Sequence, residues 1–113
     1  MSLPVLDYDR LNDVCAGDQT LAAELIAILL EDVETVMPAL AEAIAGHDRA
    51  QVREHAHSLK SVSGTVGARQ LHALAERLEA APDSAAVAGL MTQIVAAVAA
   101  VRDAGAAMER GAA

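Results

Sequence analysis

Apolar residues recur every three or four positions along most of the chain, the spacing of one buried face of an α-helix. The pattern is longest in residues 19–46, where Gly46 predicts the end of a long helix. Pro38 lies inside this stretch, but the apolar line continues past it. We therefore predict a kink near 34–36 rather than a helix end. The apolar positions of this helix are Leu21, Leu25, Ile28, Val36, Leu40 and Ile44.

The segments before and after the long helix carry start and stop signals. Residues 6–14 predict a short opening helix, which Gly17 ends, and Asp18 is placed to cap the long helix. Asp48 is placed to cap a third helix, with Gln51 three residues later as its reciprocal capping partner. The first three helices are thus separated by only a few residues.

Two more helices complete the pattern. Gly67 ends the third helix, the fourth covers 68–81 and stops at Pro82, and Ser84 is the predicted cap of the fifth. The last residues, about 104–113, are predicted to fray. The apolar lines of these two helices are Leu71, Leu74 and Leu78, and Val87, Leu90, Ile94 and Val101.

Four amphipathic helices joined by short links predict an all-α fold, an antiparallel up-down four-helix bundle with a short additional N-terminal helix. We expect one domain over residues 1–113, with its core at about 5–105, because the chain contains no linker or internal repeat. The composition agrees. Hydrophobic residues make up 54%, with 27 alanines, one tyrosine and no Phe or Trp, which suits close helix packing.

The formal net charge of −8 argues against nucleic acid or an anionic membrane as a partner. The apolar stretch 85–101 is too short and too often interrupted by polar residues for a membrane span, so we expect a bundle helix. Cys15 is the single cysteine, and the N-terminus has no secretion-signal pattern. We expect a monomer in the cytoplasm whose partners are proteins.

The third helix carries the candidate chemistry, because helical geometry places a histidine on its open side. At about 100° per residue, His57 lies opposite the apolar face, whereas His55 is turned about 160° away and flanks that face. The residues within about 60° of His57 are Arg53, Lys60, Ser61 and Gly64. The opposite face consists of Val52, Ala56, Leu59, Ser63 and Val66.

Gly64 and Lys60 suggest what His57 does. Glycine inside a helix costs about 1 kcal/mol relative to alanine, and close approach of another macromolecule would explain its presence. A free imidazole is mostly neutral at pH 7, so one ring nitrogen carries a lone pair that can attack phosphorus. The Lys60 ammonium could then hold the phosphoryl oxygens. By contrast, His55 is expected to be partly buried and hydrogen-bonded, and His47 and His72 to be plain surface residues.

The run "AHSLKSVSGTVGARQLHALAERLE", residues 56–79, resembles the histidine-containing phosphotransfer (HPt) domain family. The family pattern is A-H-x-L-K-[G/S], followed by glycines seven and ten residues after the histidine, here Gly64 and Gly67. Ser61 departs from the more frequent glycine. The resemblance extends more loosely over about 5–105.

This resemblance implies a phosphorelay protein that accepts a phosphoryl group on Nε2 of His57 from a receiver-domain aspartate and passes it to another receiver. It implies that Lys60 stabilises the phosphoryl group and that Arg53, Ser61 and Gly64 form the receiver-docking face. The implied partners are response-regulator receivers and a hybrid sensor histidine kinase. No cofactor is expected on this chain, since Mg²⁺ would belong to the receiver. No P-loop is present, so the protein is expected to be a phosphocarrier without kinase activity.

Two other functions are compatible with a four-helix bundle. Four-helix bundles can hold two irons with paired Glu-x-x-His motifs, but Glu54 and His57 form only one such motif and the chain has no second. No metal site is therefore predicted. A helical adaptor that binds partners without accepting phosphate stays open.

Overall fold

Five helices and no strand make up the part of the chain that the computed structural model describes, residues 3–112. The predicted all-α class is confirmed. Residues 1, 2 and 113 of the predicted single domain lie outside the described residues. The helices are α1 (Tyr8–Val14), α2 (Gln19–Ala45), α3 (Arg49–Val66), α4 (Arg69–Glu79) and α5 (Ser84–Ala112).

Helices α2 to α5 form the predicted antiparallel bundle, and α1 packs on α2 and α3. Short connections reverse the chain direction between successive helices. Helix α3 packs between α2 and α4, and α5 packs against the same two helices on the other side. Helix α5 therefore lies across the bundle from α3. Its 29 residues, at a rise of about 1.5 Å each, account for the 44 Å length of the molecule.

The helix starts follow the aspartates in the sequence. The side chains of Asp18 and Asp48 each accept a backbone N–H at 3.1 Å, so both predicted caps are confirmed. The predicted cap of the fifth helix is wrong. The carboxylate of Asp83, not Ser84, accepts the N–H of Ala86 at 2.9 Å, and Ser84 is already the first residue of α5.

Helix α2 runs through Pro38, as predicted, while the kink near 34–36 stays a prediction. The apolar line read from the sequence is only partly the buried one: Leu40 is fully buried, and Leu25, Val36 and Ile44 are partly buried. Leu21 and Ile28 are 38% and 51% exposed, because α2 carries apolar residues on more than one side and the helical period alone does not select among them. The buried positions of α2 are Ala22, Ile26, Leu29, Val33, Leu40 and Ala43.

Helix α5 extends to Ala112, while the fraying expected at about 104–113 stays a prediction. A tight contact with α2 holds this end. Gly105 is buried, and a Cβ there would lie 2.9 Å from Cγ2 of Ile26. Ala104 and Met108 pack partly buried against the core. The absence of a side chain at Gly105 therefore lets α5 approach α2 closely.

By length and composition, residues 84–110 of α5 could span a membrane. In the bundle, however, the apolar side of this helix is buried against α2 and α4, with Leu90, Ile94 and Val101 at most 6% exposed. Its outer side carries mainly alanines and polar residues. This arrangement is that of the bundle helix expected from the sequence.

Backbone and side-chain hydrogen bonds hold the N-terminal segment against the α3–α4 turn. The N–H of Asp7 donates to the carbonyl of Gly67 at 2.7 Å, and Arg69 Nε donates to the Asp7 carboxylate at 2.7 Å. The backbone N–H of Arg10 and the Arg69 guanidinium hold the pKa of Asp7 below its ordinary value. Arg10 Nε in turn donates to the carbonyl of Gly64 at 3.2 Å. Helix α1 thus reaches the end of α3 that carries Gly64.

Candidate functional site

His57 lies on the outer side of α3, with its side chain 60% exposed. This placement follows from the opposite face of the helix, which is anchored in the core as predicted. The buried residues of α3 are Val52, Ala56, Leu59, Ser63 and Val66. Because His57 is turned away from all of them, the imidazole is open to a partner.

A glutamate on α4 fixes the orientation of this imidazole. Nδ1 of His57 lies 3.3 Å from Oε1 of Glu79. An ionised carboxylate can only accept, so we assign the proton to Nδ1, which donates to Glu79. Nε2 then carries the lone pair. The nitrogen that the sequence resemblance marks for phosphorylation is therefore the one left nucleophilic.

The same carboxylate binds Lys60. Its Nζ lies 2.9 Å from Oε2 of Glu79, an oxygen atom that is itself buried. This contact with Lys60, helped by the His57 hydrogen bond, holds the pKa of Glu79 below its ordinary value, although partial burial acts in the opposite direction. Glu79 is thus charged at neutral pH. It holds a nucleophile and a cation side by side.

Gly64 faces a neighbour within the molecule. The ring of His72, on α4, covers it, and a Cβ at Gly64 would lie 3.0 Å from Nδ1 and 3.2 Å from Cε1 of His72. Nδ1 of His72 donates to the carbonyl of Lys60 at 2.9 Å. The interpretation of Gly64 as clearance for another macromolecule is therefore incomplete. The glycine first makes room for His72.

Three comparisons with known proteins bear on this arrangement. A family model of the Hpt domain matches residues 24–104. The chain belongs to the Hpt domain family. Hpt domains are phosphocarriers that take part in phosphorelays. The resemblance read from residues 56–79 is confirmed.

The Hpt domain is also similar to part of a curated relative, the sensor histidine kinase GacS of Pseudomonas protegens. The two are 33% identical over 79 residues, which is 70% of this chain and 9% of the kinase. Among solved structures, it resembles the HPT domain of a sensor hybrid histidine kinase from Shewanella with a TM-score of 0.70. That match is 18% identical and covers 88% of this chain and 92% of the other, so it shows the shared fold.

The remaining predicted residues of this Hpt domain lie around His57. Arg53 and Ser61 are exposed on the same side of α3. The formation of a docking face by Arg53, Ser61 and Gly64 stays a prediction. His55 is partly buried, as expected, but has no side-chain hydrogen bond within residues 3–110. His47 is exposed, as expected.

Two residues of the site escaped the sequence reasoning. Glu79 follows His57 by 22 residues and lies on another helix, so helical spacing cannot connect the two. The available signal was its place as the last residue of the matched run. His72, predicted to be a plain surface residue, is instead partly buried and bonded. Its Nε2 lies 3.9 Å from the Glu76 carboxylate, a poor setting for accepting an anionic phosphoryl group.

Charge is distributed unevenly around the bundle. Helix α2 carries acidic residues and no Lys or Arg, whereas α3 carries three cations and one acid. The acids of α2 are Glu24, Glu31, Asp32, Glu34 and Glu42, and the cations of α3 are Arg49, Arg53 and Lys60.

No three His, Cys, Asp or Glu side chains come together as a metal site within the described residues.

Proposed function

We propose that this Hpt domain takes a phosphoryl group onto Nε2 of His57 from the phosphoaspartate of a receiver domain and delivers it to the aspartate of another. The observation that carries the proposal is the exposed imidazole, whose Nδ1 donates to Glu79 beside the Lys60 ammonium. The partners are receiver domains and a hybrid sensor histidine kinase. The protein works as a monomer in the cytoplasm, without nucleic acid or membrane.

The phosphoryl transfer needs no reactant besides His57 and the phosphoaspartate of the receiver. The lone pair of Nε2 attacks phosphorus, the N–P bond forms, and the bond from phosphorus to the aspartyl oxygen breaks. The aspartate leaves as a carboxylate. The ring becomes positively charged, and Glu79, hydrogen-bonded at Nδ1, stabilises that charge. The reverse sequence returns the group to a receiver.

Lys60 supports the same step by charge. One of its N–H groups faces Glu79, which leaves other N–H groups for the phosphoryl oxygens. Because Glu79 holds both groups, the ammonium is positioned before phosphate arrives. In this proposal Mg²⁺ is held by the receiver and not by this chain. Without a P-loop, the domain has no kinase activity of its own and depends on a phosphorylated protein.

Intact-mass spectrometry at neutral or basic pH tests the proposal, since phosphohistidine survives there. Incubation with a phosphorylated receiver should add one phosphoryl group to the wild type and none to His57→Gln. His55→Gln is the matched control on the same helix and should be phosphorylated like the wild type. Mg²⁺ and ATP alone should add nothing. If the wild type binds receivers but gains no mass, the domain is a passive adaptor.

A further inference from the structure

A cavity of about 310 Å³ opens at the end of the bundle where the α2–α3 and α4–α5 turns meet. We call it the end cavity. Its apolar lining consists of Ile44, Val52, Leu78, Ala81, Pro82 and Val87.

Polar contacts fix one wall of the end cavity. Nη2 of Arg49 donates to the carbonyls of Ala81 and Pro82, at 3.3 and 2.6 Å, and so ties the α4–α5 turn to the start of α3. Asp83, on the rim, is engaged in capping α5. The opening is therefore formed before any partner binds, which lowers the ordering cost of binding there.

The end cavity is continuous with the phosphotransfer site. Arg53 lines it and precedes His57 by one helical turn, about 6 Å along the axis. Glu79 lines it too and bonds to His57. A standard protein interface covers about 800 Å² on each partner, which reaches roughly 16 Å in every direction from its centre. A receiver centred on His57 therefore covers the mouth of the cavity.

The charged side chains at the opening of the end cavity indicate which chemical groups can bind there. The negative charge of Glu79 is balanced by the ion pair with Lys60, and the Asp83 carboxylate accepts a hydrogen bond from the α5 backbone. Arg53 is exposed and makes no ion pair within residues 3–110. Its guanidinium is thus available at the mouth of an apolar cavity. Such a site suits an apolar side chain that has a carboxylate next to it.

We propose that the receiver anchors itself by inserting an apolar side chain into the end cavity while a neighbouring carboxylate meets Arg53. This rests on the proposed function, because the occupant is the receiver that exchanges phosphate with His57. It adds an anchoring point beyond the predicted docking face. The end cavity therefore contributes to the choice of receiver.

Filling the cavity tests this. Ala81→Leu places a larger side chain in it, and Ala99→Leu makes the same change on the exposed side of α5, across the bundle. With a receiver that phosphorylates the wild type, Ala81→Leu should lower kcat/KM about tenfold, the loss typical of one buried anchor. Phosphoramidate is a small phosphoryl donor that needs no docking. It should phosphorylate His57 of the Ala81→Leu variant at the same rate as His57 of the wild type. Ala99→Leu should change neither rate.

A second pair of variants tests the charge. Arg53→Gln should raise KM for the receiver, and the rise should shrink at high salt. Arg77→Gln is the matched control, because Arg77 is exposed on α4 and turned about 160° from Glu79.

Methyl NMR keeps the test valid if Ala81→Leu fails to fold. On titration of the wild type with the unphosphorylated receiver, the methyl signals of Ile44 and Val87 should shift, while that of Val95, exposed on α5, should not. A shift of the Gly64 amide without any shift of Ile44 and Val87 overturns the anchor and leaves the proposed function standing. If neither receiver nor phosphoramidate phosphorylates the wild type, the proposed function itself fails, and the anchor with it.

Discussion

Replacing Gly64 by alanine tests the internal packing of the site, because two opposing effects act at one position. Alanine in a helix interior gains about 1 kcal/mol over glycine. The new Cβ, however, would lie 3.0 Å from Nδ1 and 3.2 Å from Cε1 of His72. The ring must give way by a few tenths of an ångström, which strains its 2.9 Å hydrogen bond to the Lys60 carbonyl. This overpacking, together with the strained hydrogen bond, costs about 1–2 kcal/mol.

Gly64→Ala alone should therefore leave the free energy of unfolding unchanged or lower it by up to about 1 kcal/mol. In a His72→Ala background the ring is absent, so the same substitution should raise the free energy of unfolding by about 1 kcal/mol. The effect of Gly64→Ala on the free energy of unfolding should therefore differ between the two backgrounds by about 1–2 kcal/mol. This is well above the roughly 0.5 kcal/mol expected for independent sites.

Urea unfolding followed by helical circular dichroism measures the cycle, since the chain has one tyrosine and no tryptophan. Gly89→Ala is the control. Nothing lies within 4 Å of a Cβ at Gly89, so it should stabilise both backgrounds equally. If Gly64→Ala also gains about 1 kcal/mol in both backgrounds, His72 does not cover Gly64 and our account of this glycine is wrong.

Three further predictions follow from other contacts. Gly67→Ala should destabilise by about 1–2 kcal/mol in thermal unfolding, because Gly67 has φ of +76° and its Cβ would lie 3.2 Å from Asp7; an unchanged midpoint would contradict this. Gly105→Ala should cost about 1–3 kcal/mol by overpacking against Ile26, whereas a gain equal to that of Gly89→Ala would mean a loose C-terminal end. Because Lys60 and His57 lower the folded-state pKa of Glu79, its charged form stabilises the fold above the ordinary glutamate pKa, and that contribution is lost as the pH falls through the lowered value. The wild type should thus unfold at higher urea than Glu79→Gln at neutral pH, and this difference should vanish in acid; a constant difference would exclude the ion pair as its source.

Local rules predicted much of this fold from the sequence. The inner face of α3 is buried at every predicted position because apolar residues there occupy one side only. Two aspartate caps were identified because the side chain and the N–H it accepts are three residues apart. On α2 the same reasoning was only partly right, since Leu40 is buried but Leu21 and Ile28, which follow the same helical period, are exposed.

The missed parts of the site share a physical reason. Glu79 reaches His57, and His72 reaches Gly64, only because α4 packs against α3. No periodicity within one helix encodes such a contact. The tight approach at Gly105 likewise depends on Ile26 in α2, so the sequence of α5 alone does not reveal this contact.

The separation of charge between α2 and α3 has a kinetic consequence. With acids on one helix and three cations on its neighbour, the charge distribution favours approaches in which α3 faces the carboxylates of a partner, although the net charge of −8 repels an acidic protein as a whole. A larger share of collisions is then productive than for a molecule of the same size whose charge is evenly distributed. Added salt screens these charges, so it should change the rate of encounter far more than the rate of the chemical step within the complex.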